Sequence, residues 1–402
     1  MEEVEVRVDQ LVAGGEGLAR VDGIPLFIPR SAPGDRLRVQ LTDRQAGYGR
    51  AQILEILEPG AGRREPPCPH FSRCGGCDLQ HLEDQLQVDL KVEAMRETLR
   101  RLGGVEPPEV KVFRGDAWGY RLRTQLQVQK PAEESVEAPR ARVGYHARGS
   151  HELVEVDRCP VLSPTLEGLL PRLPEILGVP LVEKGSPRRL DLAAGDGDAV
   201  GSAPVVEGLP HGELEIEVSG ESYSFDARCF FQGHRTLLPT LVEEVLGAAP
   251  TEGGSAEMAY DLYSGVGLFS LPLARRFAKV VAVEGDRLGA RYARKNARRA
   301  QLSQVEVVNA AVESWIEPHL PAAAARVVVD PPRDGLSVKV RRVLKERRPR
   351  HLTYVSCHAA ALARDLKSLL QGGFELDSLT ALDLFPQTGH LETVAQLRWV
   401  GQ

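Results

Sequence analysis

The chain has 402 residues, 42% of them hydrophobic, which is enough to build two or three domains with cores of their own. Its formal net charge is -6 and its sequence pI is about 6.0, so the overall charge does not mark a nucleic-acid-binding protein. It has no apolar run long enough to cross a membrane, and its acidic start MEEVEVRVDQ is unlike a signal peptide. We therefore expect a cytoplasmic protein.

Residues 1–58 alternate apolar and polar side chains between Gly, Pro and Asp turns, which is typical of short β-strands. This pattern predicts a small five-stranded barrel. The segment GGEGLAR, followed by IPLFIPRSAPGDRLRVQL, resembles the TRAM domain, an OB-like RNA-binding barrel found on several RNA-modifying enzymes. The resemblance implies a contact with RNA, although a barrel fold alone does not establish binding.

Three of the six cysteines follow the barrel in the segment CPHFSRCGGC, at a spacing that lets three thiolates converge on one metal centre. They are Cys68, Cys74 and Cys77, and Cys159 is the predicted fourth ligand. In a reducing compartment, clustered cysteines are more often metal ligands or catalysts than disulfides. Four thiolates suit zinc or an iron–sulfur cluster, and the lone fourth cysteine favours a closed [4Fe-4S] cluster. A radical S-adenosylmethionine enzyme is the alternative, but it uses three ligands spaced C-x3-C-x2-C.

Residues 82–104 carry apolar side chains at helical spacing before a Gly-Gly pair, which predicts one amphipathic helix that ends there. From about Trp118 to Phe225 the alternation returns and predicts a central β-domain, with a polar loop at 131–141. We divide the chain into three predicted segments, 1–58, 59–230 and 231–402. We expect the helix at 82–104 to pack on the last of them.

The segment MAYDLYSGVGLFSLPLA is an apolar strand followed by a Gly-rich turn that opens a helix, an arrangement that binds a ligand at the carboxyl end of the strand. Gly265 and Gly267 allow close approach of the backbone. The next strand ends in Glu284, whose carboxylate can accept hydrogen bonds from both hydroxyls of a ribose. Because Ser270 replaces the third glycine of a dinucleotide fingerprint, the pattern favours S-adenosylmethionine over NAD.

Three more apolar strands end in reactive residues, in RVVVDPPRDGL, TYVSCHAAALARDL and GHLETVAQL. Together with CFFQ at Cys229 to Gln232, the cysteine spacing and the cofactor turn, they resemble the RNA uracil-5-methyltransferase family over nearly the whole chain. The resemblance is strongest to its iron–sulfur-containing ribosomal RNA branch. It implies an α/β protein with a Rossmann-like class I methyltransferase domain, and cofactor contacts at Gln232, Tyr263, Glu284 and Asp330.

Uracil C5 is a poor nucleophile, so a methyltransferase first adds a thiolate to C6. Cys357 is the candidate nucleophile because it follows a strand at the edge of the cofactor turn, where a helix N-terminus would lower its pKa. By resemblance, Glu392 is the base that removes the C5 proton. His358 is interpreted as a helix cap. Leu268 stands where the family often has Asn, and Cys229 is interpreted as a core thiol.

The expected partner is RNA with a flipped-out uridine, ribosomal RNA being favoured and transfer RNA the alternative; the expected state is a monomer. A non-catalytic iron–sulfur RNA-binding protein is the competing function, but the nucleophile, base and cofactor acid are all present. Cytosine-5 methylation is a second alternative, but it uses a cysteine after proline, whereas Ser356 precedes Cys357. The basic segments 287–299 and 339–350 are interpreted as solvated helix faces or as an RNA-facing stripe.

Overall fold

The computed structural model describes residues 2–45, 47–129, 140–183, 189–247 and 257–401. The loop predicted at 131–141 lies outside these ranges except for its last two residues. Within them, no helix combines the length and the apolar character that a membrane span requires. The described chain forms a barrel, a central antiparallel sheet and a large, mostly parallel sheet.

The N-terminal barrel has the strand order β1-β5-β6-β4-β3-β2 around a small apolar core. Its strands are β1 (Glu3–Arg7), β2 (Gln10–Leu11), β3 (Glu16–Val21), β4 (Ile24–Pro29), β5 (Arg36–Arg44) and β6 (Gly49–Glu58). The sequence predicts five strands, and the structure has six. The first predicted strand divides at Val8 and Asp9, because its first half pairs with β5 and its second half pairs with β3.

A long helix, α1 (Asp84–Thr98), follows the cysteine segment and continues into a π-helical turn, Leu99–Gly103. Gly104 ends it in the left-handed region at φ 61°, as the Gly-Gly pair predicts. The buried face of α1 contributes Val88 and Met95 to the same core as Leu362 and Leu366 of the C-terminal part. The helix therefore packs on that part of the chain.

The central part is a five-stranded antiparallel sheet in the order β10-β9-β8-β11-β12, with a separate hairpin, β13-β14. Its strands are β8 (Arg123–Gln129), β9 (Arg142–His146), β10 (Leu153–Glu155), β11 (Arg189–Ala194), β12 (Val200–Ala203), β13 (Glu213–Val218) and β14 (Glu221–Asp226). Between β10 and β11 lie α2 (Pro164–Glu167), a 3-10 turn (Leu170–Arg172) and α3 (Leu173–Glu183).

The C-terminal sheet has eight strands in the order β17-β16-β15-β18-β19-β21-β20-β7. The strands are β7 (Val110–Phe113), β15 (Met258–Leu262), β16 (Lys279–Glu284), β17 (Val305–Asn309), β18 (Arg326–Val329), β19 (His351–Ser356), β20 (Phe374–Leu382) and β21 (Glu392–Trp399). The helices that accompany them are α4 (Leu238–Leu246), α5 (Ser270–Ala274), α6 (Arg287–Arg299), α7 (Val312–His319), α8 (Val338–Arg347) and α9 (Ala359–Leu370); a 3-10 turn, Arg235–Leu237, precedes α4.

Only β21 runs antiparallel to its neighbours in this sheet. The carboxyl ends of β15, β18 and β19 therefore meet the amino end of β21 at one edge, where an α/β sheet binds its ligands. At the far side, β7 pairs in parallel with β20. This strand lies within 59–230, the segment that the sequence assigns to the central domain, yet it extends the C-terminal sheet.

Candidate active site and cysteine cavity

The register of β19 and β21 places the predicted nucleophile opposite the predicted base. Ser356 pairs with Thr393, so the next position of the antiparallel pair sets Cys357 beside Glu392. Glu392 is only 2% exposed. Burial, and then the neighbouring Asp330, raise the pKa of its carboxyl well above the ordinary value. A carboxylate with a raised pKa is a stronger proton acceptor near neutral pH, which suits a general base.

The surroundings of Cys357 oppose its ionisation. Burial raises the pKa of its thiol to about 11, Glu392 acts in the same direction, and Arg333 acts against them. The predicted lowering of this pKa is therefore wrong, because burial and nearby carboxyl groups outweigh the dipole of the following helix. The thiol form dominates at neutral pH, so attack on a base has to be coupled to loss of the thiol proton.

His358 caps the helix that follows the nucleophile, as the sequence predicts. Its Nδ1 accepts a hydrogen bond from the backbone N–H of Ala361 at 3.3 Å. This contact satisfies one of the free N–H groups at the start of α9. The imidazole therefore fixes the helix start directly after Cys357.

A cavity of about 250 Å³ opens at Cys357. This volume is below the ~300–1,000 Å³ of pockets for drug-sized ligands, so it suits a small planar group such as one base. Besides residues 357–359, four separate parts of the chain form its wall. They are the barrel turn at 12–14, helix α1 through Lys91, Ala94 and Met95, the loop at 333–334, and the segment 389–391 before β21.

The barrel turn reaches this wall through an unusually close approach to Gly389. A Cβ atom at Gly389 would lie 2.2 Å from the carbonyl carbon of Gly14 and 2.4 Å from the nitrogen of Gly15. Only glycine permits that approach. The sequence assigns GGEG to an RNA-binding barrel but misses its place in the wall, since nothing in its local pattern connects residue 14 with residue 389.

The loop before β21 is also tied to the cysteine segment. The backbone N–H groups of Asp78 and Leu79 donate to the carbonyl oxygen of Gln387 at 2.8 and 3.0 Å. The Asp78 carboxylate accepts from the backbone N–H of Gly389 at 2.9 Å. Asp78 directly follows Cys77, so the cysteine segment positions the residues that precede Glu392.

The predicted cofactor residues lie at the ends of β15, β16 and β18. The two oxygens of Glu284 accept from the backbone N–H groups of Gly265 at 2.7 Å and Asp286 at 2.6 Å, which orients its carboxylate. Tyr263 is held at φ 66° and donates its hydroxyl to Glu313 at 2.9 Å. A Cβ at Gly265 would meet nothing within 4 Å, so the Gly-rich turn borders open space.

Two buried carboxyl groups lie beneath this turn. Burial raises the pKa of Asp261 and of Asp330 to about 7, and the charge of Asp261 raises that of Asp330 further, while a hydrogen bond from Gln232 acts in the opposite direction. Asp261 also accepts from the Ser270 hydroxyl at 2.5 Å. Ser270, which stands where a dinucleotide fingerprint has its third glycine, thus donates a hydrogen bond to the buried carboxyl group of Asp261.

Three buried oxygens near this edge have no hydrogen-bond partner among the described residues: Oε1 of Gln232, Oδ1 of Asp261 and Oγ of Ser264. Buried polar atoms are normally paired. These oxygens are therefore suited to a ligand that carries N–H or O–H donors or a positive charge. The sequence identifies Gln232 but misses Asp261 and Ser264, for which the available signal was a polar residue inside the apolar strand MAYDL and the serine directly before Gly265.

The four predicted metal ligands line a second cavity of about 20 Å³, together with Gln80, Arg121 and Tyr145. All four are free thiols. The backbone N–H of Gly76 lies 3.4 Å from Sγ of Cys74, and the amide of Gln80 and the hydroxyl of Tyr145 line the same cavity. Such donors favour sulfur that carries negative charge.

Within the part of the chain that the structure describes, no group of three or more His, Cys, Asp or Glu side chains is placed to hold a metal ion. The four thiols nevertheless line the same small cavity. Burial raises the pKa of Cys77 to about 12 and that of Cys159 to about 11. Ionised sulfur in this cavity therefore requires positive charge beside it.

Some side chains of the two basic segments form ion pairs. In α6, Lys295 pairs with Glu213 and Arg299 with Glu215, which joins the helix to β13. In α8, Arg341 pairs with the fully buried Asp365 at 2.6 Å. These pairs connect structural elements, so part of each basic segment has a structural role.

Three further residues lie near Gln232. Leu268 and Cys229 are 7% and 1% exposed and belong to the large apolar core, as predicted for Cys229. Phe230 is 65% exposed, and the Arg123 guanidinium lies 6.0 Å from the centre of its ring. The sequence misses Phe230, an aromatic face that a nucleobase could stack on.

Comparison with known proteins agrees with this geometry. Residues 1–54 match the TRAM domain, and residues 210–318 and 321–399 match the tRNA (Uracil-5-)-methyltransferase family. The 23S rRNA (uracil(1939)-C(5))-methyltransferase RlmD of Pectobacterium atrosepticum is 34% identical over 97% of this chain and 92% of its own. The protein of the same name from Salmonella typhi is 33% identical over 97% of this chain and 95% of its own.

Among solved structures, the Pyrococcus abyssi tRNA (uracil-54, C5)-methyltransferase in complex with S-adenosyl-L-homocysteine superposes with a TM-score of 0.72 at 24% identity. The superposition covers 98% of this chain and 100% of that one, so the two proteins share their whole fold. Given this fold and the identity to full-length curated relatives, the chain belongs to the RNA uracil-5-methyltransferase family.

Proposed function

We propose that the protein transfers a methyl group from S-adenosylmethionine to C5 of a uridine in 23S ribosomal RNA. The observation that carries this proposal is the meeting of Cys357, Glu392 and Asp330 at one sheet edge, beside a base-sized cavity. The names of the relatives at 33–34% identity favour ribosomal RNA. Transfer RNA is the alternative substrate, since the structural neighbour acts on it.

S-adenosylmethionine would bind along the turn of Gly265 and Gly267. Glu284 would receive the ribose hydroxyls, because its two oxygens are already oriented by backbone N–H groups and retain free lone pairs. Gln232, Tyr263 and Asp330 would contact the remaining parts of the cofactor. A positively charged ligand favours the ionised forms of Asp261 and Asp330, whose pKa values are raised to about 7 by burial.

The reaction that follows uses the chain's own groups in order. The Cys357 sulfur, after losing its proton, forms a bond to C6 of the uracil, and C5 gains the electron pair of the former double bond. C5 then takes the methyl group, and S-adenosylhomocysteine leaves. Glu392 removes the C5 proton, the C5–C6 double bond re-forms, and the C6–S bond breaks. The proton that Cys357 gives up passes to water; after elimination the Cys357 thiolate takes a proton back from water, and Glu392 passes the C5 proton to water, so every group returns to its starting state.

We propose that the barrel at 1–58 and the central part at 59–230 grip the RNA, while 231–402, with helix 82–104 packed on it, performs the transfer. A uridine in a stacked helix is covered by its neighbours, so the target base has to be flipped out to reach Cys357. The barrel turn at 12–14 in the cavity wall supports this division of roles. We propose that the reaction takes place in the cytoplasm and that the protein is a monomer.

We further propose that Cys68, Cys74, Cys77 and Cys159 hold a [4Fe-4S] cluster. The four thiols that line one cavity support a shared metal group, and the lone fourth cysteine in the sequence favours a closed cluster over zinc. Such a cluster would link the segment 68–77 to Cys159, which lies after β10. It would also be able to accept or donate an electron. No step of the methyl transfer involves it.

The test of the reaction separates nucleophile from base. A Cys357→Ala variant should bind RNA but form no covalent complex and transfer no methyl group. A Glu392→Gln variant should add, methylate and then stall, because the C5 proton has no acceptor, and its complex should survive denaturing electrophoresis. RNA with 5-fluorouridine at the target position should trap the wild-type enzyme in the same way, because fluorine cannot leave as a cation.

The matched control is Cys229→Ala, which removes a core thiol and should retain methyl transfer. A fluorinated RNA linked through Cys229, or none linked to any cysteine while methyl transfer proceeds, would contradict the proposed mechanism. Running the assay on 23S ribosomal RNA and on transfer RNA side by side decides the substrate. Methylation of transfer RNA alone would replace the ribosomal assignment with the alternative.

A further inference from the structure

We propose that Arg121 is the counter-charge of the cysteine cavity, so that its guanidinium balances the negative charge of the four thiolates and the group they hold and sets the reduction potential of that group. This inference rests on the proposed cluster. It assigns a function to a residue that neither the methyl transfer nor the metal ligation uses.

Arg121 is anchored to the chain directly beyond the fourth cysteine. Its backbone N–H donates to the carbonyl oxygen of Val161 at 2.9 Å, and its own carbonyl oxygen accepts from the N–H of Ser163 at 2.9 Å. These two residues follow Cys159 closely in the chain. The backbone contacts hold Arg121 in place whatever side chain it carries, which makes the position suitable for substitution.

The side chain of Arg121 faces the sulfur atoms. It lines the small cavity together with all four cysteines. Among the ion pairs of the described residues, none joins Arg121 to an Asp or Glu. A half-buried guanidinium without a carboxylate costs free energy unless another anion lies beside it, and here the available anions are thiolates.

The field of Arg121 reaches most of the site. It acts on Cys77 and Cys159, and on Cys74 together with Arg30, whereas the cation that acts on Cys68 is Arg158. Arg158 differs in position, because its side chain is 64% exposed and lies 3.8 Å from Glu167. Water and Glu167 screen its charge. The two arginines therefore form a natural pair of test and control positions.

The sign of the expected effect follows from charge. Reduction adds one negative charge to a cluster that four thiolates already make anionic. A fixed positive charge beside it stabilises the reduced form more than the oxidised form, so it raises the reduction potential. Removing that charge should make the cluster harder to reduce and easier to oxidise, and oxidation in air should then release iron faster.

The experiment compares Arg121→Gln with Arg121→Lys and Arg158→Gln, all purified without oxygen. Iron and sulfide per chain, the midpoint potential, and the rate of loss of visible absorbance in air are measured, with thermal unfolding as a check of the fold. We expect Arg121→Gln to show a more negative potential and a several-fold faster loss of absorbance. Arg121→Lys, which retains the charge, and Arg158→Gln should stay close to wild type.

Two failures are distinguishable. If the wild-type protein contains no iron–sulfur cluster under these conditions, the proposed cluster is wrong. If the wild type contains one and Arg121→Gln keeps its potential and air stability, or changes them no more than Arg158→Gln does, the role of Arg121 is overturned. Should Arg121→Gln purify without iron, recovery of the cluster in Arg121→Lys supports the charge argument, and loss in both variants overturns it.

Discussion

The cavity at Cys357 and the cavity of the four cysteines hold the same functional group in opposite surroundings. Burial raises the pKa of the thiol to about 11 at Cys357, to about 12 at Cys77 and to about 11 at Cys159. The cavity at Cys357 has a volume of about 250 Å³, and the carboxyl groups of Glu392 and Asp330 act on its sulfur; the other cavity has about 20 Å³ and is lined by the donor groups of Gln80, Arg121 and Tyr145. The pKa of the thiol therefore does not distinguish the proposed nucleophile from the proposed ligands, but the neighbours of the sulfur do.

The largest expected effect comes from exchanging one cysteine in each cavity. A Cys159→Ser variant should lose its iron, because three thiolates cannot close the proposed cluster. A Cys357→Ser variant should retain all iron and lose methyl transfer. Iron per chain and visible absorbance, measured without oxygen, check both. One equivalent of zinc in the wild type, with no visible absorbance, would contradict the cluster, and loss of iron from Cys357→Ser would contradict the separation of the two cavities.

A second test fills only the catalytic cavity. Replacing Ala13 by Trp introduces an indole at the barrel turn in its wall and should slow trapping of 5-fluorouridine RNA by about 100-fold, since small displacements at a reacting centre have effects of this order. RNA affinity should change much less, because phosphate contacts dominate it. Trapping rates and filter binding give the two values.

The control for this test is Thr42→Trp, which adds the same side chain to an exposed position of β5. It should trap fluorinated RNA at the wild-type rate. If Ala13→Trp also retains the wild-type rate, the barrel turn does not border the site of the base.

A third test measures the protonation of the nucleophile. Only the thiolate reacts with iodoacetamide, and the pKa of Cys357 is raised to about 11 by burial and by Glu392. Alkylation of Cys357 in the enzyme alone should therefore rise about tenfold per pH unit from neutral pH upward, without reaching a plateau below about pH 9. Peptide mass analysis locates the label. A plateau near neutral pH would show that the helix dipole lowers the pKa after all.

The smallest effect concerns the buried acid under the cofactor turn. Asp261 keeps its proton to about pH 7 in the folded chain, whereas an unfolded Asp ionises near about pH 3.9. Folding thus takes up a proton between these values, and the free energy of unfolding falls as pH rises through this window. Asp261→Asn avoids that loss.

The melting temperature of Asp261→Asn relative to wild type should accordingly increase by a few °C between about pH 4 and pH 7, measured without cofactor. Thermal unfolding at intervals of one pH unit gives the difference. A difference that stays constant over this range would show that Asp261 ionises normally in the folded protein.

Sequence patterns were sufficient for the strands that end at the site, because β15, β18 and β19 are apolar runs followed at once by polar residues. They were also sufficient for α1, whose apolar spacing and Gly-Gly stop are local features. The position of β7 was not predictable, since a short strand carries no sign of the sheet it joins. The raised pKa of Cys357 was missed for a similar reason: Glu392 and Asp330 approach it only through strand pairing.

The close approach of Gly14 and Gly15 to Gly389 has a consequence for the synthesis of the protein. One wall of the cavity at Cys357 is built from residues 12–14 and another from residues 389–391. A nascent chain that already displays a folded barrel and the thiol of Cys357 still lacks residues 389–391. The cavity is completed only after these residues have been synthesised, so chains that terminate before them have no complete cavity.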